Sequence, residues 1–130
     1  MSSEIRPALR RELRERAERR CEYCGMPDDI PLLPHELDYV IALKHGGLTT
    51  SRNLAYACFQ CNRAKGSDIA SLDPVTGKLT PLYNPRLHVW HEHFQLNGAI
   101  IEPITAVGRV TVKLLNLNNP ARVAIRENLL

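Results

Sequence analysis

The sequence predicts an α+β fold in which a small core is held together by a metal ion. Three observations carry this prediction. Two Cys-x-x-Cys pairs lie in the first half of the 130-residue chain, short β-rich segments lie between them, and helical patterns with capping residues lie towards both ends. A chain of this length can bury a modest apolar core, which suits one domain or a small core with an extension.

The first predicted element is a helix over residues 7–20, "PALRRELRERAERR". Pro7 suits the first turn of a helix, and a thin apolar face follows at helical spacing. That face consists of Ala8, Leu9, Leu13 and Ala17. The many charges allow two interpretations. Either the helix is solvated, with ion pairs such as Glu12–Arg16 and Glu15–Arg19, or its surplus arginines meet the phosphates of a nucleic acid.

Composition and charge limit the class of protein. The formal net charge is +3, which favours a nucleic-acid partner only weakly. No long uncharged apolar run occurs, so we expect neither a membrane span nor a membrane partner. The charged N-terminal segment does not resemble a signal peptide. We therefore expect a cytoplasmic protein.

The four cysteines predict a zinc site. Cys21 and Cys24 form one Cys-x-x-Cys pair, and Cys58 and Cys61 form the other. A tight turn within each pair brings two thiolates onto one metal, and four thiolates complete a tetrahedral shell with Zn–S distances of about 2.3 Å. This shell leaves no position for water, so the predicted zinc is structural. A reducing compartment favours such a metal site over disulfides.

Three elements are predicted between and around the cysteine pairs. The segment "HELDYVIAL" predicts a strand, because Tyr39, Val40 and Ile41 favour extended structure. "LAYAC" predicts a second short strand. "FQCNRAKG" predicts a short helix that carries the second cysteine pair and stops at Gly66.

The sequence changes character after residue 67. We expect residues 68–130 to form an extension that packs on a core of residues 1–67, so that the two make one structural unit. Within the extension, "HFQLNGAIIEP" predicts a hairpin with Asn97-Gly98 at its turn. Two helices are predicted after it, with Thr105 and Asn119 as their caps.

The segments "RAERRCEYCG", "ELDYVIALKHGG" and "SRNLAYACFQCNRAKG" resemble the HNH endonucleases that have a ββα-metal core and a four-cysteine zinc site. The resemblance runs from about Arg16 to Gly66. It is based on five features that follow one another in the family's order. These are a cysteine pair, a predicted strand with an acidic residue near its end, a Gly-Gly loop, an Asn-Leu pair and a second cysteine pair. The resemblance implies a metal-dependent endonuclease that nicks or cleaves DNA, with double-stranded DNA as its substrate.

The resemblance also implies roles in a catalytic site. Asp38 and Asn62 match the two ligands of a catalytic divalent cation such as Mg²⁺, and Asn53 matches the asparagine that orients the base. The oxygen donors of Asp38 and Asn62 suit this cation, because Mg²⁺ prefers oxygen ligands and keeps waters for substrate phosphates. Tyr39 stands where the family has its general-base histidine.

The tyrosine leaves three interpretations open. The unperturbed side-chain pKa is about 6.5 for histidine and about 10 for tyrosine. A tyrosine phenol is therefore a poor general base at neutral pH. Tyr39 deprotonates water if nearby positive charge stabilises its phenolate. Alternatively it only positions water or phosphate while the metal supplies most of the rate. In the third interpretation the domain is catalytically silent and is either a zinc-containing nucleic-acid-binding module or a domain that binds another protein.

Four further residues are predicted to contact the nucleic acid. Lys44 and His45 lie in the loop after the first strand, and Arg63 and Lys65 lie beside the second cysteine pair. Cationic side chains at such positions bind phosphates and give affinity without base specificity. The alternative for Arg63 and Lys65 is a solvated surface position.

Overall fold

The computed structural model describes residues 5–30 and 34–130, which form helices and three two-stranded antiparallel sheets. This mixture of short helices and small sheets confirms the predicted α+β class. The chain divides into two units, Met1–Ser67 and Asp68–Leu130. We call them the N-terminal unit and the C-terminal unit. None of the helices in the described part of the chain has the length and apolar character that a membrane crossing requires.

The sheet of the N-terminal unit consists of β1 (His35–Tyr39) and β2 (Leu54–Cys58), which run antiparallel. Every residue of β2 is buried. β1 is shorter than the sequence predicts, since the strand ends at Tyr39 and not beyond Ile41. The strand ends early because the side chain of Asn53 forms hydrogen bonds with the backbone N–H and carbonyl of Ile41. In a longer strand these two groups would pair with β2.

Asn53 fixes the loop between β1 and β2. Its Oδ1 accepts from the Ile41 N–H, and its Nδ2 donates to the carbonyls of Ile41 and Leu48, all at 2.9 Å. Gly47 passes close to the same backbone, because a Cβ at this position would lie 1.7 Å from the Ile41 carbonyl oxygen. The second glycine of the Gly-Gly pair is therefore required for close approach.

The helix α2 (Phe59–Lys65) follows β2 directly and carries Cys61. Cys58 caps it, since its Sγ accepts from the Cys61 N–H. The helix ends as predicted at Gly66, whose φ of 53° is in the region that favours glycine. The order β1, β2, α2 gives the ββα arrangement that the sequence predicts.

The N-terminal helix α1 (Pro7–Arg16) ends four residues earlier than predicted. Glu18 and Arg19 have φ values of 56° and 58°, which a helix cannot contain. Leu13 is fully buried and anchors the helix. The helix carries one of the two ion pairs that the sequence predicts.

Among the salt bridges of the described residues, the predicted pair of Glu15 and Arg19 is present, at 3.1 Å on the exposed side of the helix. Arg16 behaves differently from the prediction, because its guanidinium donates to the carbonyls of Ser51 and Leu54. Arg16 therefore fastens α1 to the start of β2.

The C-terminal unit contains two hairpins and two helices within its described residues. The strands and helices are β3 (Ala70–Leu72), β4 (Leu79–Pro81), β5 (Phe94–Asn97), β6 (Ile100–Pro103), α3 (Ala106–Leu114) and α4 (Pro120–Glu127). The predicted caps are confirmed, because the Thr105 side chain accepts from the Gly108 N–H and the Asn119 side chain accepts from the Ala121 N–H.

The predicted turn of the second hairpin is wrong by one residue. Asn97 pairs with Ile100 inside the sheet, so the turn consists of Gly98 and Ala99. Gly98 has a φ of 59°. A glycine suits the first position of a two-residue hairpin turn, because that position needs a positive φ.

Candidate functional site

The four cysteine sulfurs come together at one point of the N-terminal unit. Their Sγ atoms all lie within 4.8 Å of one another, and those of Cys24 and Cys58 are 3.7 Å apart. A tetrahedral zinc shell with Zn–S distances of about 2.3 Å has sulfur–sulfur edges of about 3.8 Å. The donors and their spacing therefore fit one tetrahedral ion. Among the described residues, no second group of three or more histidine, cysteine or carboxylate ligands converges in this way.

Local backbone hydrogen bonds build this cluster. The N–H groups of Tyr23 and Cys24 point to the sulfur of Cys21, each at 3.4 Å, and Cys61 makes the equivalent contact to Cys58. All four side chains are buried. Burial raises the pKa of the Cys21 thiol, and a metal cation is the group that holds buried cysteines as thiolates. The cluster could hold a zinc ion, as the spacing predicts.

Asp38 is buried beside this cluster, with 4% of the residue exposed. Its Oδ2 accepts from the Tyr23 hydroxyl at 2.8 Å and lies 3.3 Å from Nζ of Lys65. Burial raises the pKa of Asp38, and the charge of Lys65 and the Tyr23 hydrogen bond oppose that rise. Burial also raises the pKa of Tyr23 well above its usual value. Tyr23 therefore remains a protonated donor to the carboxylate.

Asn62 lies in the first turn of α2, and its Nδ2 donates to Oε2 of Glu36 at 3.0 Å. Glu36 and Asp38 are two residues apart on β1 and so share one face of the strand. Glu36 is not among the site residues that the sequence predicts. The alternation of side chains along a strand could have predicted this role, because Glu36 is the residue next to Asp38 on the same face of β1.

Tyr39 follows Asp38 directly and is the last residue of β1. Its hydroxyl lies 2.9 Å from Oγ1 of Thr49, in the loop after β1. His35, on the same face as Tyr39, packs against the ring of Tyr56. Its Nε2 donates to the Met26 carbonyl at 2.8 Å. The histidine nearest in sequence to the base position is therefore held by other contacts.

The four predicted nucleic-acid contacts lie in different environments. Lys44 and His45 are exposed on a short 3-10 turn, Leu43–His45. Arg63 is exposed, with its guanidinium carbon 4.4 Å from the centre of the Phe59 ring. Lys65 is the exception and corrects the prediction, because it is only 2% exposed and its ammonium is bound inside the unit. A buried ammonium of this kind does not reach a phosphate at the surface.

Residues 21–68 match the family model of the HNH endonuclease. This match points to a class of protein with a nuclease or nucleic-acid-related function. The resemblance that the sequence suggests is therefore confirmed for this segment, which contains the cysteine cluster and the ββα arrangement. Comparisons with curated proteins and with solved structures returned no match.

Proposed function

We propose that this protein is a metal-dependent endonuclease that hydrolyses phosphodiester bonds of double-stranded DNA. One observation carries the proposal. Asp38 and Asn62 come from different elements beside the cysteine cluster, and each has one side-chain oxygen with no hydrogen bond within the described residues. Both contacts of Asp38 fall on Oδ2, and the contact of Asn62 falls on its nitrogen.

These oxygens, Oδ1 of Asp38 and Oδ1 of Asn62, would hold Mg²⁺ or another divalent cation, while zinc would occupy the cysteine cluster. A divalent cation, when bound, supplies charge stabilisation at the scissile phosphate and the leaving oxygen. Asn53 keeps the loop after β1 in place. The exposed side chains of Lys44, His45 and Arg63 would bind flanking phosphates. The cytoplasm is the proposed location, because reducing conditions keep the cysteines available to the metal.

A second candidate is a catalytically silent nucleic-acid-binding module. The bond between the hydroxyls of Tyr39 and Thr49 favours it, because the side chain at the base position already has a partner in the loop. A phenol is in any case a weaker base than imidazole at neutral pH. In the first candidate Tyr39 contributes little to proton transfer, and we expect slow nicking of one strand at a time.

Plasmid nicking separates the two candidates. Purified, zinc-loaded protein is incubated with supercoiled plasmid and Mg²⁺, Mn²⁺ or Ni²⁺, with EDTA as a control. We expect nicked circles with at least one metal and none with EDTA. The variant Asp38→Ala, checked for folding by circular dichroism, should lose this activity, which excludes a contaminating nuclease. Absence of nicking with every metal, together with salt-dependent gel shifts, would establish the silent module instead.

A further inference from the structure

We propose that Tyr23, Lys65 and Glu36 are positioning residues of the divalent-cation site. Tyr23 and Lys65 fix the carboxylate of Asp38, and Glu36 orients the amide of Asn62, so that each ligand presents a single oxygen. The inference rests on the proposed function. It assigns no direct contact with the cation or the substrate to any of the three residues.

Each of the three N–H donors of the Lys65 ammonium group has an oxygen acceptor. An ammonium has three N–H donors, and Nζ of Lys65 has three oxygen neighbours: the carbonyls of Tyr39 and Val40 at 3.1 Å each and Oδ2 of Asp38 at 3.3 Å. These contacts tie the end of β1 to the last residue of α2. Lys65 therefore fixes the strand end that carries Asp38, and it occupies only one oxygen of the carboxylate.

Tyr23 adds a second donor to the same oxygen. It is fully buried and comes from the turn between Cys21 and Cys24. Its hydroxyl donates to Oδ2 of Asp38 at 2.8 Å. Two donors on Oδ2 set the rotation of the carboxylate and leave Oδ1 available. The turn that holds the zinc ligands thus also aligns the predicted cation ligand.

Glu36 decides which end of the Asn62 amide faces away from it. An ionised carboxylate accepts hydrogen bonds and donates none, so the amide nitrogen of Asn62 must face Glu36 and the oxygen must face elsewhere. The observed contact joins Nδ2 of Asn62 to Oε2 of Glu36 at 3.0 Å. In the variant Glu36→Gln the new side-chain amide could donate as well as accept, which would allow the Asn62 amide to turn over.

The charges of these side chains also suit a cation. Asp38 and Glu36 contribute two negative charges and Lys65 contributes one positive charge, which leaves a net negative site. Glu36 lies about 6.6 Å along β1 from Asp38, two residues at about 3.3 Å each. Its second carboxylate oxygen has no hydrogen bond within the described residues. The surroundings of the two ligands therefore attract a divalent cation and do not repel it.

The test measures Mn²⁺ affinity of the full-length, zinc-loaded chain by isothermal titration calorimetry, which needs no nuclease activity. We expect Tyr23→Phe and Glu36→Gln each to weaken Mn²⁺ binding by about tenfold or more, as the loss of residues that orient metal ligands typically does. Lys65→Met would leave Asp38 buried without its partner and lose much stability, so the other two variants carry the test.

The matched control for Tyr23→Phe is Tyr56→Phe. The Tyr56 hydroxyl also donates to a carboxylate, Oδ2 of Asp28 at 2.7 Å, but Asp28 is not a predicted ligand. Tyr56→Phe should leave Mn²⁺ affinity within about twofold of the unmodified chain, well inside the tenfold change expected at Tyr23. For Glu36→Gln the control is Glu102→Gln, which changes a carboxylate of the C-terminal unit.

A rescue distinguishes orientation from general damage. Adding Asn62→Asp to Glu36→Gln places two equivalent oxygens at position 62, so no orientation is needed and Mn²⁺ affinity should return. If Tyr23→Phe and Glu36→Gln bind Mn²⁺ as tightly as the unmodified chain while Asp38→Ala does not bind it, the positioning roles are overturned and the proposed function stands. If the unmodified chain binds no Mn²⁺, or Asp38→Ala still binds it, the cation site itself is refuted.

Discussion

The hydroxyl of Tyr39 lies 2.9 Å from the hydroxyl of Thr49, which joins the last residue of β1 to the loop that follows it. The residue at the predicted base position thus has a structural contact of its own. A net contribution of about 0.5–1.5 kcal/mol is typical for one such hydrogen bond. The hydroxyl of Tyr39 therefore has a structural role that is independent of any role in catalysis.

Substitutions at Tyr39 test its chemical role. We expect Tyr39→His to raise the plasmid nicking rate by about 10²-fold or more, because a positioned imidazole is an effective base at neutral pH. Tyr39→Phe should leave the rate within a few-fold, since the hydroxyl bonds to Thr49. A loss of nicking in Tyr39→Phe would instead show that the hydroxyl takes part in the reaction. Thr49→Val is the control, because it removes the same hydrogen bond and keeps the phenol.

The buried pair of Asp38 and Lys65 predicts a large stability effect. Lys65→Met should lower the free energy of unfolding by about 3–5 kcal/mol, because it leaves a buried carboxylate without its positively charged partner. The double variant Lys65→Met with Asp38→Asn should be more stable than Lys65→Met alone, because it carries no uncompensated charge. Urea denaturation of the zinc-loaded protein measures both. A cost under about 1 kcal/mol for Lys65→Met would be typical of an exposed pair and would contradict the burial.

The two adjacent loop glycines should respond differently to alanine. Gly47→Ala should lower the free energy of unfolding by about 3 kcal/mol or more, because the added Cβ would collide with the Ile41 carbonyl. Gly46 has open space around it and a φ of 92°, so Gly46→Ala should cost only the backbone strain, about 1 kcal/mol. Equal costs in urea denaturation would show that the loop relaxes around Gly47.

Metal removal should unfold the N-terminal unit. Metal analysis should find one zinc ion per chain, and Cys24→Ser should lose it. Chelation should reduce the far-ultraviolet circular dichroism, because apolar burial alone rarely holds so small a unit without its metal. Adding zinc back under reducing conditions serves as the control for irreversible damage. A metal-free chain with an unchanged spectrum and unfolding temperature would refute a structural role for the cluster.

Acid should weaken the C-terminal unit through Asp73. Arg109 donates two hydrogen bonds to this carboxylate at 2.8 Å each and holds the pKa of Asp73 well below its usual value. Because the folded-state pKa is depressed, the stabilisation is complete above the ordinary aspartate pKa of about 3.9 and is lost as the pH falls below it.

Trp90 is the only tryptophan and lies in this unit, where it packs against Phe94. Its fluorescence during thermal unfolding between pH 6 and pH 2 should show a steeper loss of stability than the Asp73→Asn variant does. Parallel curves for the two proteins would rule out Asp73 as the group responsible.

Much of the metal centre could be predicted from the sequence, because ligand spacing and local hydrogen bonds determine it. Each Cys-x-x-Cys turn is closed by N–H contacts to its own first sulfur. The positions of β1, β2 and α2 follow from the same local signals. The burial of Lys65 could also be predicted from the sequence. Lys65 lies four residues after Cys61 and so on the same face of α2, which the zinc site buries.

Other features depend on contacts that the sequence does not announce. The early end of α1 depends on Glu18 and Arg19 in left-handed conformations, which side chains other than glycine rarely adopt. The role of Arg16 depends on two carbonyls far along the chain. The pairing of Glu36 with Asn62 depends on where α2 meets β1. In each case a tertiary contact, and not a local preference, decides the outcome.

The contacts of Asn53 also bear on how tightly a ligand can bind to the loop that carries Lys44 and His45. Three side-chain hydrogen bonds join Asn53 to Ile41 and Leu48, on either side of these two residues. A ligand that binds Lys44 and His45 therefore meets a frame whose backbone is already ordered. Little conformational entropy remains to be lost on association, so modest contacts there can yield useful affinity.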